Sequence, residues 1–130
     1  MNIHNQRLAT ISHILKRNGF LTIQFLNREA AIKKYSKPQK FWNDTDEHFC
    51  LDSRVVKDNH LNSEKIYISK IDGTINKYSD NVCLTSSLEI IEKMTISDPK
   101  IKLISIFDSF SSKEFDMINS LLPVMIFQKF

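Results

Sequence analysis

Glycine is almost missing from this chain: it holds two in 130 residues, with three prolines. Gly-rich phosphate loops need backbone positions free of a Cβ, so nucleotide-binding readings of the P-loop or dinucleotide type are nearly excluded. No cofactor is expected on this ground. Cysteine is scarce too. Cys50 and Cys83 stand far apart, at no metal-ligand or redox spacing, and read as reduced, small, half-buried residues. No run approaches 18 apolar residues, which leaves no membrane span. The start of the chain, with His4, Asn5, Gln6 and Arg7, lacks the apolar stretch of a secretory signal, and a cytoplasmic protein is the resulting expectation.

What remains is ordinary in amount and unusual in arrangement. With 42% hydrophobic and 25% charged residues, the chain falls in the globular range, and its length suits one domain over 1–130. The charge is divided by region. Residues 1–40 carry eight Lys/Arg against Glu29 alone, whereas residues 41–64 carry six acids against Arg54 and Lys57. Opposed fields of this kind steer partners and reject wrong ones.

Periodicity predicts an α/β or α+β domain of about four helices and five strands. A helix over 4–18 has Leu8, Ile11, Ile14 and Leu15 on one face and Gly19 as its left-handed stop. Residues 20–26 alternate as a strand, with Leu21, Ile23 and Phe25 on one side. Asn27 reads as the N-cap of a short helix from Arg28 to Tyr35. Residues 38–64 show the least pattern, with a short strand near 49–56. Lys65–Ile71 and Thr74–Tyr78 flank Asp72-Gly73 as a hairpin. Ser86-x-x-Glu89 and Ser111-x-x-Glu114 are capping boxes, the first opening a helix that carries Leu88, Ile91 and Met94. Strands are expected over 101–107 and 124–127.

The sharpest local feature is Arg28 to Trp42, where Lys33, Lys34, Lys37 and Lys40 are interleaved with Tyr35, Phe41 and Trp42. Cations and flat rings together suit nucleic acid, although a helix-turn-helix over 5–36 conflicts with the strand-like alternation of 20–26. The acidic stretch with Asp44, Asp46 and Glu47 lacks the glycine of an EF-hand loop and the recurring His/Cys of a zinc site, so no metal is expected. No Ser or Cys is tied to a base, and no catalytic residue is assigned.

These observations lead to a small, soluble, non-enzymatic binding protein that holds or neutralises a partner protein, of immunity, antitoxin or secretion-chaperone type. Its expected partner-binding surface is Arg28, Lys33, Lys34, Tyr35, Lys37, Lys40, Trp42, Asp44, Asp46 and Glu47. The alternatives are a nucleic-acid-binding regulator using residues 28–42 and a metal-dependent nuclease suggested by Asp98-Pro99-Lys100. A homodimer through a C-terminal edge strand is a further expectation.

Overall fold

The computed structural model describes residues 3–130, with the side chains of residue 7 and of 10–130. Among these residues it is an α+β fold of three helices and seven strands in two antiparallel sheets. The elements are α1 (Ile3–Ile14), β1 (Phe20–Gln24), α2 (Arg28–Tyr35), β2 (Gln39–Asp44), β3 (His48–Lys57), β4 (His60–Ser69), β5 (Ile75–Cys83), α3 (Ser87–Ser97), β6 (Ile101–Phe107) and β7 (Val124–Lys129). They gather into two compact units, one of residues 1–30 with 85–130 and one of residues 31–84.

In the first unit the three-stranded sheet has the order β1-β7-β6. Its core is Ile90, Met94, Ile101, Met125 and Phe127, against which Leu21, Ile23 and Phe25 pack. The alternation that predicts strand β1 therefore also predicts which of its side chains face inward. The last strand lies in the middle of this sheet, paired with β1 on one side and β6 on the other. It has no free edge, which corrects the expectation of a dimer formed through it.

Helix α1 ends earlier than its apolar spacing suggests, at Ile14, whose side chain is exposed. The residue in the left-handed region is Asn18, at φ 65°, and not Gly19. Gly19 serves close approach instead, because a Cβ there would lie 2.8 Å from the Lys16 carbonyl oxygen. Helix α3 begins as its capping box requires: the Glu89 backbone N–H donates to Ser86 Oγ at 3.2 Å. The Glu89 carboxylate faces back toward the Ser86 backbone N–H, accepts the Thr85 hydroxyl at 3.3 Å and also pairs with Arg28 at 2.6 Å. That pair, chiefly through its hydrogen bond, holds the Glu89 carboxyl below its ordinary pKa. The buried face of α3 is Ile90 and Met94, while Leu88 points outward.

The second capping box makes no helix. Asp116 Oδ1 accepts the backbone N–H groups of Ile118 and Asn119 at 2.9 and 3.1 Å, and Ser120 Oγ accepts that of Asp116 at 2.8 Å. Side chains thus take the backbone donors that a helix would have used. Asn27 joins the same loop from outside it. Its Nδ2 donates to the carbonyls of Met117 and Ser120 at 2.8 and 2.9 Å, so it clamps residues 116–121 instead of capping α2.

The second unit is a four-stranded antiparallel sheet in sequence order, β2-β3-β4-β5. Strands β2 and β3 and the first half of β4 occupy the stretch that shows least pattern in sequence. The two-residue turn between β3 and β4 is Asp58-Asn59, at φ 52° and 60°, with Lys57 opposite His60. Both positive values define the turn whose twist matches a hairpin, and Asp and Asn tolerate them. The expected hairpin at Asp72-Gly73 also exists, but as a longer loop in which Gly73 alone has positive φ, 71°. Asp72 Oδ1 accepts the Thr74 N–H at 3.0 Å and its hydroxyl at 2.7 Å, which lowers the Asp72 pKa.

Candidate functional site

The uninterrupted register of β2 to β5 sorts side chains onto two faces, because partners directly opposite one another point the same way. On one face, successive rows across the sheet are Gln39, Arg54, Ser63 and Asp80, then Phe41, Asp52, Lys65 and Tyr78, then Asn43, Cys50, Tyr67 and Asn76. His48, two residues before Cys50 on β3, belongs to this face as well. It is the most chemically varied surface of the unit.

Its two halves differ in character. Toward one end, Arg54 holds Asp52 in a bidentate pair at 3.2 and 2.9 Å and donates to the Tyr35 hydroxyl at 3.2 Å. Asp52 is only 5% exposed and Tyr35 is buried, so this cluster is the fixed end of the face. The hydrogen bonds to Asp52, against the cost of desolvation, raise the Arg54 pKa above its ordinary value. Two cations flank the Tyr35 ring, with Lys34 Nζ 5.5 Å and the Arg54 guanidinium 5.8 Å from its centroid. Toward the other end lies an open hollow of about 400 Å³ lined by His48, Lys65, Tyr67, Asn76 and Tyr78. The Tyr67 and Tyr78 rings meet edge to face at 5.6 Å, and His48 stands edge-on to Tyr67 at 6.2 Å. The volume falls within the range of small-molecule sites. An imidazole, an ammonium group and two ring faces converge there.

The residues expected to form one partner-binding surface are spread over several elements. Arg28 lies in the first unit, paired with Glu89. Lys33, Lys34 and Lys37 are exposed around the end of α2, whereas Tyr35 is buried beneath Arg54. Lys40, Trp42 and Asp44 point to the opposite face of the sheet, where Asp44 pairs with Lys70. Asp46 and Glu47 sit in the exposed turn between β2 and β3. Asp98, the anchor of the nuclease alternative, is committed to structure: its Oδ1 accepts the Lys100 N–H at 2.9 Å and its Oδ2 lies 3.2 Å from Lys129 Nζ. His48, Lys65, Tyr67 and Tyr78 escape sequence reading because only the register gathers them. The signal that sets this register is the Asp58-Asn59 turn.

No family model matches the sequence, and neither does any curated protein. Solved structures do match. The CcbJ methyltransferase from Streptomyces caelestis superposes with a TM-score of 0.78 at 15% identity, covering 97% of this chain and 52% of the other. An S-adenosylmethionine-dependent methyltransferase from Clostridium acetobutylicum also gives 0.78, at 11% identity, covering 96% and 50%. CalS10, an amino pentose methyltransferase from Micromonospora echinaspora solved with S-adenosylmethionine bound, gives 0.63 at 7% identity, covering 97% and 50%. The likeness is one of fold. This chain spans about half the length of each structure it matches. The expectation of a non-enzymatic binding protein, with its immunity, antitoxin and chaperone readings, is corrected here, because nearly the whole chain follows the fold of enzymes.

For S-adenosylmethionine, bound in the CalS10 structure, the two glycines of this chain provide no close-approach position. A backbone that approaches an adenosyl group needs positions without a Cβ. Gly19 packs against its own preceding turn, and Gly73 lies in an exposed hairpin loop with nothing within 4 Å of a Cβ placed there. Neither forms a cradle.

Proposed function

We propose that this chain is the acceptor-binding portion of an S-adenosylmethionine-dependent methyltransferase, and that the cofactor is held by a polypeptide segment beyond these 130 residues. The observation that carries the reading is the superposition of 97% of the chain on about half of CcbJ. Two features support the division of labour. The glycine positions offer no cofactor cradle, and among the described residues no strand pairs with the outer edge of β1, so the first unit's sheet can be extended there.

The hollow of the second unit is the proposed acceptor site. Tyr67 and Tyr78 offer faces to a ring-bearing molecule, and Lys65 suits a hydroxyl or carboxylate oxygen of it. His48 is the group placed to take a proton from an acceptor nitrogen, as imidazoles do most often. The amino pentose substrate of CalS10 is the guide to an amine. The Asp52–Arg54–Tyr35 cluster keeps the sheet rigid beside this wall.

The test has two arms. Calorimetric titration of the isolated chain with S-adenosylmethionine should show no binding. The protein isolated from its host with its accompanying segment should transfer tritiated methyl from S-adenosylmethionine to an amino sugar. In that assembly, His48→Ala should cut kcat by about 10²-fold, in the range of a lost general base, with cofactor affinity unchanged. Failure of the assembly to transfer methyl, or tight cofactor binding by the chain alone, would sink the proposal.

A further inference from the structure

The face of the second unit opposite the hollow is a largely apolar, exposed surface, with Lys70 Nζ over the Phe49 ring at 4.5 Å at one end. Its middle rows are Trp42, Leu51, Ile66 and Lys77, then Asp44, Phe49, Ile68 and Ile75. Trp42 is 65% exposed, Ile75 61% and Phe49 41%. A third row, Lys40, Ser53, Glu64 and Ser79, is polar, and a shallow groove runs along it past Asn62 and Asn81. An antiparallel sheet commonly wets one face and buries the other, and its wet face is then polar. Here the wet face carries six large apolar residues.

We propose that this face is the interface of a two-fold homodimer, sheet packed on sheet. The argument is the order of residues within the rows. A two-fold axis parallel to the strands and midway between β3 and β4 reverses each row against its own copy. Trp42 then meets Lys77 of the second copy, Leu51 meets Ile66, and Ile66 meets Leu51. An ammonium group over an indole ring is attractive, and a leucine against an isoleucine is an ordinary core contact. In the next row Phe49 meets Ile68, and Asp44 comes beside the second copy's Lys77 on the diagonal. In the polar row Ser53 meets Glu64, a hydroxyl against a carboxylate, and Lys40 meets Ser79.

A competing axis perpendicular to the strands and running through the Trp42 row would set that row on its own copy, Lys77 on Lys77 and Trp42 on Trp42. The axis parallel to the strands avoids that like-charge contact and sets an ammonium group over the indole instead. The contact is isologous, as closed dimers require. Sheet twist turns the facing strands by roughly 30° without separating the central rows. Strands of six, ten, ten and nine residues about 4.8 Å apart present roughly 550 Å², below the usual 800 Å² or so per partner. A dimer of micromolar affinity is the corresponding expectation. This inference does not depend on the methyltransferase reading.

Trp42 is the only tryptophan, so its fluorescence reports on the interface directly. Sedimentation velocity of the full chain between roughly 1 and 100 µM should show a monomer–dimer equilibrium, with Trp42 emission moving to shorter wavelength as dimer forms. Ile66→Lys, which puts an ammonium group in the middle of the apolar rows, should leave far-UV circular dichroism unchanged and raise the dissociation constant at least 100-fold. Lys77→Glu is the milder check and should weaken association about tenfold. A chain that stays monomeric at 100 µM would overturn the proposal. So would a dimer that Ile66→Lys leaves intact.

Discussion

Asn27 separates two readings of one residue, and its replacement by aspartate decides between them. In sequence it stands where an N-cap of α2 belongs, and N-caps accept Asn and Asp almost equally. In the structure it is fully buried, and its Nδ2 donates to the Met117 and Ser120 carbonyls at 2.8 and 2.9 Å. Its backbone N–H adds a third tie to the same loop, at 3.0 Å to the Leu121 carbonyl. The side chain's orientation follows from its partners, since an oxygen cannot face two carbonyl oxygens. Asn27→Ala removes both donors and strands two carbonyls, each costing about 1–3 kcal/mol if water fails to reach it. With partial rescue by water the sum is about 2–4 kcal/mol. Asn27→Asp is worse, because it sets a carboxylate oxygen against both carbonyls and forces a proton onto it. The expected order of stability by urea unfolding at pH 7 is wild type, then Ala, then Asp, with the aspartate variant recovering as the pH falls. An aspartate variant within about 0.5 kcal/mol of wild type would restore the capping reading and refute the clamp.

Two further expectations rest on charged groups. Arg54→Ala strands the carboxylate of Asp52, whose side chain is only 7% exposed, and should cost about 2 kcal/mol by chemical unfolding, below the 3–5 kcal/mol for a fully buried pair because Arg54 is itself 32% exposed. Asp52→Asn with Arg54→Ala together should cost less than Arg54→Ala alone. Asp98 has its pKa lowered, first by the Lys100 N–H and then by Lys129. The folded state therefore holds fewer protons than the unfolded one, and the stabilisation is present above the ordinary value of 3.8 and fades as the pH falls through the lowered one. Thermal melts of Asp98→Asn against wild type should show a gap at neutral pH that closes by about pH 2.

Much of the first unit was legible because its signals are local. The alternation of Leu21, Ile23 and Phe25, the Ser86 cap and the apolar run at the C-terminus each mark one element through its own neighbours. The Ser111 box misled because Asp116 and Ser120 compete for the backbone donors of that segment, which a spacing rule does not weigh. In the second unit the expected strand near 49–56 and the hairpin of 65–78 correspond to β3, β4 and β5, whereas β2 and the β3–β4 turn left no pattern. On β3 the burial of one face is confined to Cys50 and Asp52, so the in–out alternation that betrays a half-buried strand is short, and β5 is exposed along its whole length. The Asp58-Asn59 turn carried the missing information, and a preference for glycine at Asp72-Gly73 drew attention away from it.

By itself, then, the chain's composition determined that it is globular and poor in glycine cradles, and its local patterns placed most helices and the strands of the first sheet. Tertiary structure alone decided that the last strand lies between two others and that His48, Lys65, Tyr67 and Tyr78 share one face while Trp42, Phe49 and Ile75 share the other. The reason is register. A shift of one residue in the β3–β4 pairing would exchange the two faces, and what fixes that pairing is the Asp58-Asn59 turn, whose positive φ values are taken up only when the two strands fold against each other.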